Sequence, residues 1–307
     1  MAYTTIDDSS AYFQTTLYTG SGSSTQNVVN GGNSDLQPDW VWVKNRTDAR
    51  WNRLVDSSRG VSKNLYSNED DTEGTEASVT AFNSDGFSLG TDTGSDGWNE
   101  NSDNHVAWQW KANGGSRTTF TESGNNPGGG YQANTTAGFS IVDYTGTGAT
   151  GTVSHGLGAV PHLMFFKNRD TGQTWVVYHH KNTAAPETDM LQLESTNATN
   201  DSNTYFNDTA PTSSVFTVAT SNDLNKDADK IIAYCFTEKQ GYSKFGSYAG
   251  NGNVDGPFVY TGFKPAWVML KRSSGIADWN IFDNKRPGYN ETNARLRAND
   301  ATAESTS

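Results

Sequence analysis

Three stretches of this chain share one pattern, and this internal repeat constrains the fold more than any other feature of the sequence. FQTTLYTGSG begins at Phe13, FSIVDYTGTG at Phe139 and FGSYAGNG at Phe245. Each leads to a proline and an apolar segment: PDWVWVKNR from Pro38, PHLMFFKNR from Pro161 and PAWVMLKRS from Pro265. The prolines lie 123 and 104 residues apart. Because self-similarity at such spacing indicates repeated structural units, we expect two full modules and the front of a third.

Later segments of the repeat support this division. A second aromatic segment follows in each module: WNRLVD from Trp51, WVVYHH from Trp175 and WNIFDN from Trp279. FNSDGFSLG and HVAWQWKA of the first module match TSSVFTVAT and KIIAYCFTE of the second, but only 42 residues follow Pro265. The last strands of the third module are therefore missing. We expect that the natural chain runs on past Ser307, and the alternative is that a neighbouring chain completes the sheet.

A glycine motif in the second module has the form of a dinucleotide-binding turn. Residues 146–151 read GTGATG, which matches G-x-G-x-x-G. In such a site the turn opens a helix whose N-terminus faces the pyrophosphate. Here the next residues are TVSHGLGAVP, whose two glycines and proline do not permit a useful helix. We therefore predict a turn between two strands, where glycine supplies positive φ, and no bound cofactor.

Short strands that are apolar on both faces favour an all-β fold. WVWV from Trp40, LMFF from Leu163 and WVML from Trp267 are typical of strands covered on both sides. Only 33% of the residues are apolar, yet 12% are aromatic, a balance that suits short strands joined by polar loops. We predict tandem antiparallel β-sandwich repeats of the jelly-roll or lectin-like kind. The best short helix candidate is TDMLQLE, residues 188–194.

The repeat and the composition divide the chain into four parts. Residues 1–112 form the first module, 138–240 the second and 241–307 the incomplete third. Residues 113–137, rich in Gly, Asn and Ser, form a linker between the first two modules. The join between the second and third modules is short, so we expect those two to have the more fixed relation.

Charge and cysteine content exclude several classes of partner. The net charge is −12, from 22 Lys and Arg against 34 Asp and Glu, which argues against binding to a phosphate backbone. The single cysteine, Cys235, excludes an internal disulfide. The opening MAYTTIDDSS lacks the basic and apolar regions of a signal peptide, and no apolar run could span a membrane. We expect no nucleic-acid partner and no membrane insertion.

Two groups of side chains could in principle bind a metal. An acidic loop offers oxygen ligands from Glu69, Asp70, Asp71, Glu73 and Glu76. It lacks the spacing of a calcium loop, and the other modules carry ESTNATN and ANDATAE instead, so we interpret it as a solvated loop. His179 and His180 are adjacent, and adjacent strand residues point to opposite faces. We therefore predict no metal site.

No catalytic set recurs among the modules. A glycosidase needs two carboxylates in a cleft, and no acidic pair is repeated; a G-x-S-x-G nucleophile elbow is also missing. We predict no catalytic residues and no enzymatic activity. The features that recur are aromatic strands and their basic ends, Lys44-Asn45-Arg46, Lys167-Asn168-Arg169 and Lys271-Arg272. We interpret them as module cores and a solvated or ion-paired rim, with a sugar-stacking aromatic platform as the alternative.

Several long phrases of the sequence resemble a known family. MAYTTIDDSSAYFQTTLYTGSG, DLQPDWVWVKNR, VDSSRGV, FNSDGFSLG and HVAWQWKANGG resemble a repeat domain in virion proteins of marine tailed phages, such as cyanophages. YTGTGATGTVSHGLGAVPHLMFFKNR and FGSYAGNGNVDGPFVYTGFKPAWVMLKR resemble later repeats of the same proteins. The resemblance covers almost the whole chain. It implies a tail-fibre-like structural protein on the virion surface, folded in the host bacterial cytoplasm, and carries over no catalytic residue.

Three functions compete at this point. The first is a tail fibre or other appendage whose first module docks on the particle while later modules reach toward host surface polysaccharide. Its partners would be other virion proteins and further copies of itself, with a trimer favoured because fibres are commonly trimeric. The second is a head fibre or decoration protein on the capsid. The third is a carbohydrate-active enzyme or a lectin.

Overall fold

The fold is almost entirely antiparallel β-structure. The computed structural model describes residues 4–23, 26–92, 97–287 and 293–306. Within these ranges the strands form several sheets that pack against one another, which confirms the predicted all-β sandwich class. None of the helices in the described part of the chain is long and apolar enough to cross a membrane.

The first module consists of a five-stranded central sheet and a three-stranded outer sheet. Its strands are β1 (Phe13–Thr19), β2 (Asn27–Val28), β3 (Trp40–Asn45), β4 (Arg53–Asp56), β5 (Leu65–Tyr66), β6 (Val79–Asn83), β7 (Gly86–Leu89) and β8 (Asn104–Trp110). The central sheet has the order β1-β8-β3-β4-β5, and the outer sheet has the order β2-β7-β6. The last strand, β8, therefore lies between the first strand and β3.

The second module repeats this plan with additional edge strands. Its elements are β9 (Thr118–Phe120), β10 (Gly129–Asn134), β11 (Phe139–Thr145), β12 (Gly151–Ser154), β13 (Leu163–Asn168), β14 (Val176–His179), β15 (Asp189–Gln192), β16 (Asn200–Asp201), α1 (Asn203–Phe206), β17 (Val215–Val218), α2 (Asn222–Asn225) and β18 (Lys230–Phe236). The central sheet has the order β16-β15-β14-β13-β18-β11-β10-β9, and β12 pairs with β17 outside it. β18 lies between β11 and β13, as β8 lies between β1 and β3.

The third module contains only one side of this plan. Its strands are β19 (Trp267–Leu270), β20 (Asn280–Asp283), β21 (Ala294–Arg297) and β22 (Ser305–Thr306), in that order across the sheet. The pairings Trp40↔Asp56, Leu163↔His179 and Trp267↔Asp283 make β19 the counterpart of β3 and β13. In the described ranges β19 pairs with β20 alone. The described part of the third module therefore contains counterparts of β3, β4 and β5.

The central sheets of the first two modules bury both faces because each has two different neighbours. In the first module Val41 and Val43 face the outer sheet and pack with Phe87 and Leu89, whereas Trp40 and Trp42 face the other way. In the second module the outer face of β13 packs in the same manner on β12, β17 and both α-helices. The alternation of side chains along a strand thus sends one set into each layer, which explains why these strands are apolar throughout.

The inner faces of all three modules meet in one shared aromatic core. Trp40 of the first module stacks on Tyr234 of the second, with ring centroids 4.3 Å apart. Trp110 of the first module meets Trp267 of the third edge-on, at 5.6 Å between centroids. Trp279 and Ile281 of the third module belong to the same cluster. The recurring aromatic residues therefore do more than fill separate module cores, because they join the modules to one another.

The glycine motif forms a turn, as predicted. β11 ends at Thr145 and β12 begins at Gly151, so no helix follows the motif. Gly148 has a φ of +66°, and a Cβ on Gly146 would lie 2.2 Å from the carbonyl oxygen of Lys226. The N–H groups of Gly146 and Gly148 donate to Asp229 and Asn225, just before β18. The two glycines therefore let the turn approach the loop that leads into the last strand.

Three local sequence interpretations need correction. Residues 188–194 do not form a helix, because Asp189–Gln192 is strand β15 and pairs with β14. Trp51 is not the counterpart of Trp175, since the register of β3 with β4 gives that position to Asn52. Residues 113–137 contribute β9 and β10 to the second module, and Gln132 within them donates to Ser57 and Ser58 of the first. Their composition therefore does not indicate a loose connection.

We expect the shared core to dominate stability. Trp40→Ala should lower the free energy of unfolding by about 3–5 kcal/mol, because it removes a buried indole from the contact between the first two modules. Trp51→Ala is the matched control, since the Trp51 side chain is 41% exposed, and its loss should be within about 1 kcal/mol. Urea unfolding followed by circular dichroism measures both values. Equal losses in the two variants would contradict a shared core.

Candidate functional site: the module junctions and the open sheet edge

One lysine at the end of each of the equivalent strands β3, β13 and β19, called the central strands below, donates hydrogen bonds to main-chain carbonyl groups. Lys44, Lys167 and Lys271 occupy equivalent positions, four residues after the equivalent residues Trp40, Leu163 and Trp267. Each ammonium donates to a carbonyl oxygen of its own module: Lys44 Nζ to Arg50 at 3.4 Å, Lys167 Nζ to Gln173 at 2.6 Å and Lys271 Nζ to Ala277 at 2.7 Å. Lys44 and Lys167 are at most 1% exposed, so the interpretation of a solvated basic rim is wrong for these lysines.

The same three lysines also connect neighbouring modules. Lys44 Nζ donates to the carbonyl of Asp300 in the third module at 2.9 Å, and Lys167 Nζ donates to that of Asp70 in the first at 3.0 Å. Lys271 Nζ donates to the carbonyl of Thr196 in the second module at 2.9 Å. The first module thus donates to the third, the second donates to the first, and the third donates to the second, so the three contacts form a closed ring. A lysine suits this position because its ammonium offers three donors and no acceptor.

A second donor repeats the same ring of contacts. Trp175 Nε1 donates to the carbonyl of Tyr66 in the first module, and Trp279 Nε1 donates to that of Gln192 in the second, at 2.8 and 2.7 Å. Asn52 Nδ2 takes this role in the first module and donates to the carbonyl of Arg297 in the third, at 3.0 Å. The three carbonyls are equivalent in register. Alignment of the sequence repeats does not find Asn52, because the other two modules have a tryptophan at this position and the neighbouring Trp51 matches those tryptophans instead.

Two of the three junctions add a buried ionic group. Glu73 of the first module binds Arg59 of its own module and Arg169 of the second. Glu304 of the third module binds Arg286 of its own module and Arg46 of the first in the same way. These arginines fit the ion-paired reading of the basic strand ends. Glu73, however, is only 11% exposed in its side chain, so the acidic loop is not simply solvated.

The junction between the second and third modules has neutral residues at these positions. Ser273 stands where the other modules have Arg46 and Arg169, and its carbonyl accepts the N–H of Thr199. The Thr199 hydroxyl donates to Asn182, at 2.8 Å, in place of the glutamate–arginine contact. The main-chain hydrogen bond between modules is therefore the same at all three junctions, whereas the charged side chains are present at only two of them.

An aspartate in each of two modules accepts a hydrogen bond from a last strand of another. Asp56 of the first module accepts the Tyr234 hydroxyl of β18 at 2.7 Å. Asp283 of the third module accepts Trp108 Nε1 of β8 at 3.1 Å. Both aspartates are fully buried in their side chains and are also paired with an arginine three residues later. Burial of both members of such a pair is tolerated because every carboxylate oxygen has a partner.

The third module leaves this ring incomplete at one place. The position equivalent to Asp56 and Asp283 in the second module is His179, as the strand registers show. The strand that would reach it is the counterpart of β8 and β18, and the described ranges contain no such strand beside β19. Among the described residues, the second module therefore has no counterpart of the contacts that Tyr234 and Trp108 make with Asp56 and Asp283.

The segment before β19 is exposed and carries large apolar side chains. Exposed fractions are 53% for Tyr248, 102% for Val254, 89% for Phe258 and 71% for Tyr260. At the 104-residue offset between the prolines, residues 255–258 correspond to β12, which in the second module pairs with β17. A large exposed apolar patch on a protein marks an interaction surface. We call β19 together with residues 245–260 the open edge.

The remaining candidate residues are occupied elsewhere in the fold. His105 and His155 are buried in separate modules, while His162, His179 and His180 lie together near Phe245. Three carboxylates, those of Asp48, Glu100 and Asp103, come within 4.8 Å of one another. Arg50 binds both Asp48 and Glu100, and Asn45 donates to Asp103, so hydrogen bonding explains this cluster without an ion.

Comparison with known proteins assigns the chain to a family without assigning a function. The fold and the junctions define a class of protein: β-sheet modules that repeat along the chain and are joined in a ring by buried polar contacts. Residues 8–307 match the model of one family, described as a domain of unknown function (DUF7483), and the chain belongs to that family. No curated protein and no solved structure matches it.

We expect Lys44, at the junction between the first and third modules, to make the free energy of unfolding depend on pH. Burial lowers the pKa of Lys44 from 10.5 to about 7, although the nearby Asp300 carboxylate opposes the shift. Between these values the unfolded chain binds more protons than the folded chain. The free energy of unfolding should therefore rise with pH from 7 to 10.5, by up to about 1.4 kcal/mol per pH unit from this group.

Lys44→Met should remove this part of the slope, and urea titrations at pH 7, 8 and 9 measure it. Lys285→Met is the control because Lys285 is exposed, and it should keep the slope of the unmodified protein. A Lys44→Met protein with an unchanged slope would show that the buried ammonium keeps its proton throughout this range.

Proposed function

We propose that this chain is a non-enzymatic structural protein of a phage particle, in a tail fibre or another surface appendage. The observation that carries the proposal is the ring of junction contacts. The lysines, arginines and carboxylates that could serve chemistry instead bind main-chain groups or one another between modules. Such a use of polar residues favours a part that keeps its shape over one that turns over a substrate.

The surface and the sequence support the same setting. The net charge of −12 favours solubility and suits an exposed position on a particle. The repeat phrases resemble those of virion proteins of marine tailed phages, which supplies the kind of particle. Other virion proteins and further copies of the chain are the proposed partners, and host surface polysaccharide is the proposed external ligand.

The modules also suggest how such an appendage is built. Modules that share a core form one block, and the exposed apolar side chains of residues 248–260 offer an attachment surface beside the third module. We propose that the first module docks on the particle. The alternative address is the capsid, where the same block would act as a head fibre or decoration protein.

We expect peptides of this chain in purified virions of a phage that encodes it. Quantitative mass spectrometry should find far fewer copies than of the major capsid protein, and a cryo-electron microscopy map should place the first module at the tail. A copy number close to that of the capsid subunits would favour the decoration role. Complete absence from purified particles would contradict both.

A glycan array of host surface polysaccharides separates binding from turnover. We expect no release of soluble product from any glycan after long incubation with the protein. Release of product that depends on a carboxylate of this chain would contradict the non-enzymatic proposal.

A further inference from the structure

We propose that the outer face of the first module binds a neutral pyranose unit of a polysaccharide. The sugar ring stacks on the indole of Trp51, and its hydroxyl groups donate to the carboxylates of Glu69 and Glu76. This inference rests on the proposed function, which names host surface polysaccharide as the external ligand. It adds where that ligand binds and which chemistry the site selects.

Trp51 is the exception among the tryptophans of this chain. Seven of the nine are buried and Trp267 is partly buried, whereas the Trp51 side chain is 41% exposed. Single apolar residues are common on protein surfaces, but tryptophan is buried on average and is enriched where proteins bind a partner. The other modules show whether the fold needs an indole at this position.

The repeat has no indole at the equivalent positions. The strand registers place Thr174 and Asp278 where the first module has Trp51. Both of these residues bind polar side chains of their own modules, at 3.2 and 2.9 Å. In the described part of the chain, Trp51 makes one ring contact, to Tyr66, and its indole N–H has no acceptor. The fold therefore does not depend on the indole.

Trp51 also points away from the junctions. Neighbouring strand residues face opposite sides of a sheet, and Asn52 faces the third module, where it donates to a main-chain carbonyl. Trp51 lies on the other side, in line with Arg53 and Val55, and Val55 packs against the outer sheet. The site thus belongs to the outer face of a module whose two sheets are both described.

The indole stands on a buried stack of side chains. Its ring meets the ring of Tyr66 edge-on, with 5.1 Å between centroids. The guanidinium of Arg53 lies 5.1 Å from the ring centroid of Tyr66 and 4.2 Å from that of Trp98. Tyr66 and Arg53 are each only 4% exposed, so this stack limits the movement of Trp51. A binding group that is fixed in advance loses less entropy when its ligand binds.

Glu76 supplies one fixed acceptor beside this stack. Its Oε2 accepts the Tyr66 hydroxyl at 2.9 Å and Asn64 Nδ2 at 3.2 Å, yet the Glu76 side chain is 44% exposed. No described residue donates to its Oε1. The carboxylate is therefore held in place with one oxygen left for a ligand.

Glu69 supplies a second acceptor on the neighbouring strand. The Asn52 N–H donates to Asn68 Oδ1 at 2.7 Å, which places residues 68 and 69 alongside Trp51. Asn68 Nδ2 in turn donates to Glu69 Oε1 at 2.7 Å, and Glu69 is partly exposed. Again one oxygen is fixed, and no described residue donates to the other.

These groups fit the two chemical sides of a sugar ring. A pyranose such as glucose or galactose presents C–H groups on one face, and their positive hydrogens stack on the negative face of an aromatic ring. Its hydroxyl groups donate to carboxylate oxygens, and hydrogen bonds to charged acceptors are stronger than neutral ones. The free indole N–H of Trp51 adds a donor for a sugar oxygen.

Charge selects a neutral sugar over an anionic one. The chain carries a net charge of −12, and the two carboxylates of the site repel a uronate or sulfate group. A protein partner fits less well, because the core of a protein interface is depleted of charged residues. Trp51 instead stands between Glu69 and Glu76.

Acrylamide quenching of tryptophan fluorescence tests this site in the full chain, because Trp51 is the exposed tryptophan. The neutral probes are tetrasaccharides of β-linked glucose, galactose and mannose, and the tetramer of β-linked glucuronate is the charged match of the glucose probe. At least one neutral probe should lower the quenching to the level of the Trp51→Phe protein. The glucuronate probe should bind at least about tenfold more weakly than the glucose probe.

Variants assign the binding to these side chains, and calorimetric titration measures the affinities. Trp51→Ala should weaken binding of the neutral probe at least about tenfold, and Trp51→Phe should weaken it less because a ring remains. Glu76→Gln should weaken it about two- to tenfold. Val29→Ala is the matched control, since Val29 is 63% exposed in the same module, and it should bind like the unmodified protein. Urea unfolding of each variant separates lost binding from lost folding.

Failure of every neutral probe to protect Trp51 would overturn the site, whereas the place of the chain on a particle is tested separately by its presence in virions. Binding that Trp51→Ala leaves unchanged would locate the polysaccharide elsewhere and overturn the site as well. Preference for glucuronate would overturn the choice of a neutral sugar. A cryo-electron microscopy map in which a virion protein covers Trp51 would replace the sugar site with a docking contact.

Discussion

The structure depends on the fact that every central strand carries apolar side chains on both faces. A sheet with two apolar faces needs a cover on each, and a module of this size builds only one cover from its own strands, the small outer sheet. The second cover is the inner face of the neighbouring modules. Burial of Trp40 against Tyr234 and of Trp110 against Trp267 thus makes each module depend on the others.

A shared apolar core is not directional, so it does not by itself fix how the modules are rotated. The polar contacts at the rim supply that direction. A lysine such as Lys44 reaches its carbonyl acceptor only when the neighbouring module stands in one orientation, and the indole of Trp175 adds the same requirement on a second carbonyl. Hydrogen bonds to buried charged groups are costly to leave unmade, so these contacts exclude other arrangements more than they add net stability.

The repeat also shows how one position can change its chemistry while its geometry stays the same. Asp56, His179 and Asp283 occupy the same position in the strand register. The side chain of each accepts the main-chain N–H group of the residue two positions later, and each aspartate also accepts the N–H group three positions later. A carboxylate at this position accepts a hydrogen bond from another module, whereas the second module has the imidazole of His179 there. The junction between the second and third modules differs further, because Ser273 and Thr199 stand where the other junctions have an arginine and a glutamate. The ring of modules is therefore regular in backbone and varied in the bonds that it can offer.

The sequence by itself determined the repeat, the all-β class and the turn at Gly146, because these follow from the spacing of glycine and proline and from short strands that are apolar on both faces. Only the tertiary structure decided that Lys44 and Lys167 are buried, that Asn52 and not Trp51 takes the position of Trp175, and that Glu73 joins two modules. Each of these depends on a partner more than 60 residues away in the chain or on a one-residue change of register. Composition and spacing describe a segment together with its near neighbours, whereas burial of a charge is set by whatever the fold brings to its other side.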